Sequence, residues 1–96
     1  MVLPRKGGIQ FLAFPMPRFI TKKDGSFVCI NDEFVAFLGY PSKKEVERLN
    51  YFDICTERGK AEEVIKEAIK NGFSECYMGI KKFNGECVRA LNRLYF

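Results

Sequence analysis

The side chains able to do chemistry in this sequence are few, and their spacing says more than their number. Cys29, Cys55, Cys76 and Cys87 form no Cys-x-x-Cys pair, and the chain has no His. A zinc site would need isolated thiolates converging from four separate segments, unlike the paired ligands from which structural zinc sites are built. No metal is expected, and Cys29 and Cys76 read as small buried apolar groups in a reducing compartment. Without His an imidazole base is excluded, and no glycine-rich phosphate loop of known spacing occurs. Asp53 and Glu57 are the carboxylates placed to cooperate in acid–base work, but they fall in a loop between helices, where acidic groups are ordinarily solvated. A non-enzymatic function is expected.

Composition narrows the classes further. At 96 residues the chain makes one domain, and 47% hydrophobic with 15% aromatic content makes that domain globular. No apolar stretch approaches the ~20 residues of a membrane span. The start, broken by Pro15 and Pro17, lacks the design of a signal peptide, so a cytoplasmic protein without membrane contact is expected. Sixteen Lys and Arg against twelve Asp and Glu leave a net charge of +4, scattered rather than striped, and no nucleic-acid partner is expected.

The elements that must position these groups follow from local signals. Asp24-Gly25 marks a hairpin between a strand at Arg18 to Lys22 and a strand at Phe27 to Ile30. Asn31 reads as the N-cap of a helix, Asp32 to Leu38, with Gly39 as its left-handed stop. Ser42 to Glu45 has capping-box spacing and opens a short helix through Leu49. Asn50 to Glu57 reads as one helical turn or loop that dips Phe52 and Ile54 inward. Lys60 to Asn71 is the clearest helix, with Ala61, Val64, Ile65, Ala68 and Ile69 in one apolar stripe and Glu62 facing Lys66 across a turn. Such a stripe is more often plain core than a cofactor wall. Ser74 to Lys82 alternates as a half-buried strand, with Cys76, Met78 and Ile80 inward. Asn84-Gly85 turns it into Cys87 to Phe96, where Val88, Ala90, Leu94 and Phe96 face in, as does Asn92 by parity. A buried Asn92 must find a hydrogen bond.

A turn bearing Gly25, a strand ending in Ile30 and Asn31, a helix with Phe34 at its third position, and then Leu38-Gly39-Tyr40 resembles the PAS domain family. The resemblance runs from about Phe19 to the end of the chain and includes the Asn84-Gly85 hairpin. It implies an α+β fold, a five-stranded antiparallel sheet with short helices and one longer helix on one face, over residues 18–96. It also implies a central strand that would follow position 96, between the first strand and the penultimate one. Within residues 1–17, Ile9 to Phe14 is expected to fill that slot through a corner at Pro15-Met16-Pro17, or to cross to a second subunit; otherwise the chain is a truncated piece of a longer one.

The family resemblance implies a sensory or regulatory module of signal transduction, with a cavity between helices and sheet. By position its lining is Ile30, Phe34, Phe37, Leu38, Phe52, Ile54, Val64, Ile65, Ala68, Ile69, Cys76, Met78, Ile80, Ala90 and Asn92, suited to a small apolar ligand. The flavin-adduct subgroup is matched poorly. Tyr51 stands where that subgroup has its reactive Cys, Phe52 where it has a phosphate-binding Arg, and Ile80 and Ala90 replace its flavin-holding amides. The long helix offers no His for haem, which leaves Cys55 as the remaining thiolate ligand. The partners implied are a second copy and a signalling domain such as the histidine kinase of a two-component system. A second reading is a ligand-free dimerisation module with a filled core, making contact through Tyr77, Leu91 and Tyr95 on the outer sheet face. The many large inward side chains favour a filled interior over a roomy pocket.

Overall fold

A computed structural model describes residues 16–96; the expected strand at Ile9 to Phe14 lies outside them. The element order is β1 (Phe19–Thr21), β2 (Phe27–Ile30), α1 (Asp32–Leu38), α2 (Lys43–Glu47), α3 (Tyr51–Ile54), α4 (Arg58–Asn71), β3 (Phe73–Lys81) and β4 (Cys87–Tyr95). The local reading of the sequence therefore holds nearly element by element.

Both hairpins close with the same device. Lys22 N–H donates to Ser26 O at 2.9 Å and Gly25 N–H to Lys22 O at 3.0 Å, while Lys82 N–H donates to Glu86 O at 2.8 Å and Gly85 N–H to Lys82 O at 2.9 Å. Each loop carries glycine at φ 88°, the left-handed residue that a three-residue hairpin loop needs. Each also carries a short acceptor before the glycine. Asp24 Oδ1 accepts from Ser26 N–H at 2.9 Å and from its hydroxyl at 2.6 Å, and Asn84 Oδ1 accepts from Glu86 N–H at 2.9 Å. The Ser26 hydroxyl bond, above all, holds the Asp24 carboxyl below its ordinary pKa.

Asn31 does more than cap α1. Its Oδ1 accepts from Phe34 N–H and from Arg18 N–H, both at 2.9 Å, and its Nδ2 donates to Met16 O at 2.8 Å. One side chain thus fixes the helix start and the approach of the chain to β1. Gly39 ends α1 in the left-handed region at φ 78°. The capping box of α2 departs from the reciprocal form: Ser42 Oγ accepts from Glu45 N–H at 3.4 Å, but the Glu45 carboxylate takes the Ser42 hydroxyl at 3.2 Å rather than a backbone amide.

The expected five-stranded sheet is not formed. Among the described residues there are two separate two-stranded antiparallel sheets, β1 with β2 and β3 with β4, and four helices. The physical reason is that no described segment lies between β1 and β4 to carry a ladder across. Helices hold the two hairpins together instead. Tyr51 N–H donates to Gly25 O at 2.8 Å and Asn50 Nδ2 to Asp24 O at 2.9 Å, tying the first hairpin to the start of α3. Phe83 N–H donates to Leu38 O at 2.8 Å, tying the second to the end of α1.

The core lies between helices and sheets, with Leu38, Val46, Tyr51 and Met78 fully buried. The stripe on α4 is buried at Ala61, Val64, Ile65 and Ala68. On its wet side, however, Glu62 bonds Arg58 Nε at 3.2 Å rather than pairing with Lys66. Gly79 breaks the alternation of β3, because Thr56 covers it and donates its N–H to Gly79 O at 2.9 Å. Two further burial assignments are corrected. Phe96 is exposed, and its N–H donates to Gly72 O at 3.1 Å. Cys29 is exposed because the pairing Ile20 with Cys29 and then Thr21 with Phe27 leaves Val28 as an extra residue in β2, which turns two consecutive side chains outward.

Candidate functional site

The gap between the two sheets shapes the site. β1 supplies Phe19, whose ring stands 5.6 Å from Phe27, 5.1 Å from Phe34 and 5.1 Å from Tyr51. This aromatic cluster faces Ile80 on β3 and Ala90 and Asn92 on β4 across a half-open cavity of about 450 Å³, with Phe37 and Ile54 completing the apolar lining. Met16, Pro17, Leu91 and Arg93 also border it, all of them exposed.

One polar pair sits in this apolar recess. Tyr51 Oη donates to Asn92 Oδ1 at 2.9 Å, and Asn92 Nδ2 donates to Ala90 O at 3.0 Å. Asn92 thus gains the partner its inward position demands. A primary amide has two N–H donors, so among the described residues this pair keeps one amide hydrogen beyond those bonds, while Cys55 is the other polar neighbour of the Tyr51 phenol. Burial pushes the Tyr51 phenol above its ordinary pKa and keeps it a neutral donor. Burial likewise pushes the Cys55 thiol up to about 11, which disfavours the thiolate that haem ligation or nucleophilic attack requires.

The structure divides the position-based lining. Phe34, Phe37, Ile54, Ile80, Ala90 and Asn92 come together around the 450 Å³ cavity. Ile65, Ala68 and Ile69 line a neighbouring recess of about 430 Å³ with Phe19 and Leu94, and Ile30 borders another of about 570 Å³. Leu38, Phe52, Val64, Cys76 and Met78 line none of these three and belong to the core and its margin. Phe52 instead lies under the Arg58 guanidinium, 5.2 Å from the ring centre. Sequence reasoning missed Phe19 and Tyr51. The signal for Tyr51 was available: Asn50, whose Oδ1 accepts from Phe52 N–H at 2.9 Å, caps α3 and makes Tyr51 its first residue, while Asn92 awaited a donor.

Asp53 and Glu57 do not converge. Asp53 lies 3.8 Å from Arg58 and Glu57 3.3 Å from Lys60, on exposed surfaces. Among the described residues no group of three or more His, Cys, Asp or Glu is placed to hold a metal ion, and no helix is long and apolar enough to cross a membrane. On the outer face of β3 and β4, Tyr77 stands opposite Leu91, and the Tyr95 ring lies 4.9 Å from that of Phe73. Tyr77 and Tyr95 are 58% and 74% exposed. No protein family, curated protein or solved structure matches the chain.

Proposed function

We propose that this chain is a non-enzymatic sensory or regulatory module, of the kind the PAS resemblance implies, that binds a small and mostly apolar molecule carrying one hydrogen-bonding group. The observation that carries the reading is the Tyr51–Asn92 pair at the wall of an apolar cavity of about 450 Å³. Small-molecule sites have this make-up, an apolar lining with few convergent polar groups and a volume of roughly 300–1,000 Å³. A ligand seated there presses on Ala90 and Asn92 and so reaches β4, whose strain is passed to a partner such as the histidine kinase of a two-component system, or to a second copy, in the cytoplasm. The test is native mass spectrometry of the protein purified from its own source, with thermal shifts across a metabolite panel. A bound small molecule, lost in Asn92→Leu, is expected; a clean apo mass and no shift would overturn the reading.

A second reading rests on the exposed aromatic side chains Tyr77, with Leu91 opposite it, and Tyr95 on the outer face. In it the module is a homodimer joined through that face. Sedimentation should then show a dimer that Tyr95→Glu weakens, and a concentration-independent monomer would refute it.

A further inference from the structure

We propose that the trough between β1 and β4 takes an extended acidic segment of a partner protein, which adds as a strand to both edges. The inference goes beyond the small-ligand reading and does not depend on it. The three recesses share Phe19 and Arg93 and so form one continuous trough along the gap. Its β1 wall runs from Met16 to Lys23 and its β4 wall from Ala90 to Phe96. The β4 wall holds six strand residues, Ala90 to Tyr95, about 20 Å of edge and enough for a segment of five or six residues, while β1 offers the three residues Phe19 to Thr21 on the other side.

Two features fit a strand of this chemistry. Among the described residues β1 pairs with β2 alone and β4 with β3 alone, so the edges that face the trough offer backbone donors and acceptors without a ladder partner. Such edges are where extended peptides add, main-chain bonds giving affinity and alternate side chains giving specificity. The side-chain lining is apolar at Phe19, Ile65, Ile69 and Leu94, whereas the cations Arg18, Lys22, Lys23 and Arg93 border the trough and none of its lining residues is acidic. Glu75, bound to Arg93 at 3.2 Å from β3, is the acid engaged with one of these cations. The matching segment alternates apolar residues, directed at the core, with carboxylates directed at the cations.

The experiment uses the full chain and a labelled, end-blocked heptapeptide of alternating Glu and Val, read by fluorescence polarisation. Binding is expected, with amide NMR shifts concentrated at Phe19 to Lys23 and Arg93 to Phe96. Affinity should fall about tenfold or more from low to high salt, and similarly in the folded triple variant Arg18→Glu, Lys22→Glu, Lys23→Glu. N-methylation at alternate peptide positions should cost about tenfold as well, because it removes the ladder donors. No binding, equal binding by the Lys–Val peptide, or indifference to N-methylation would overturn the proposal. So would hydrogen-exchange protection of the amides of residues 9–14 in the free chain with contacts to β1, since the chain's own segment would then hold the trough. A dimer in which a strand of the second copy fills it would overturn the proposal equally.

Discussion

Tyr51→Phe tests whether the buried polar pair is the specific feature of this interior. The substitution deletes one hydroxyl from a fully buried ring and leaves the packing of Tyr51 against Phe19 and Phe52 in place. It removes the 2.9 Å bond to Asn92 Oδ1 and strands that oxygen in an apolar recess. An unmet buried acceptor costs roughly 1–3 kcal/mol, partly offset because the hydroxyl itself no longer has to be desolvated, so a net loss of about 1–2 kcal/mol is expected. For a domain of this size that corresponds to roughly 4–16 °C in Tm. Asn92→Leu removes the other partner and leaves the phenol without its acceptor, at a similar cost. The double variant Tyr51→Phe, Asn92→Leu replaces both by apolar groups and should lose less than the sum of the two, giving a coupling of about 1 kcal/mol or more. Urea denaturation of the wild type, the two single variants and the double variant measures it. Additive losses, with coupling near zero, would refute the claim that the two side chains act as a pair and would remove the basis for a ligand-orienting site.

Three further outcomes are expected. Asn31→Ala loses a helix cap and two tethers to the segment before β1, and should lower stability by about 2 kcal/mol in urea denaturation, while Asn31→Asp, which keeps the acceptor and loses only the bond to Met16, should cost about half as much; equal losses in the two variants would show that the Oδ1 bonds contribute nothing. Because burial raises the Cys55 thiol from an ordinary 9.0 to about 11, the folded chain holds its proton longer than the unfolded one, so the stability from the buried neutral thiol is complete below about pH 9 and drains away as pH climbs toward 11. Denaturation across that range should show a shallower fall in Cys55→Val than in the wild type, and identical slopes would sink the assignment. Gly79→Ala drives a methyl into the Thr56 side chain and should cost about 1–3 kcal/mol, with part of the loss recovered in Gly79→Ala, Thr56→Ala; a thermal melt unchanged in the single variant would contradict the contact.

The legibility of the chain varies with the range of the interaction. Turn glycines, the caps Asn31 and Ser42, and the α4 stripe depend on neighbours a few residues away, so their residue types state the outcome directly. Asn92 shows the limit. Its inward direction follows from strand period, but the donor it meets lies 41 residues earlier, and no local pattern links the two. Cys29, expected inside as a small apolar group, is turned outward for a related reason, since the extra residue in β2 is fixed by pairing with β1.

By itself, then, the sequence determines which strands and helices form and in what order, with their ends placed to within a few residues, because capping, turn chemistry and hydrophobic period are local and nearly additive. Tertiary structure decides what the local signals cannot encode: that β1 and β4 stay apart among the described residues, that Phe19 and Tyr51 join Phe34 at the cavity, and that basic side chains border an edge-lined trough. Those outcomes depend on contacts between segments far apart in the chain, where geometry rather than residue type selects the neighbour.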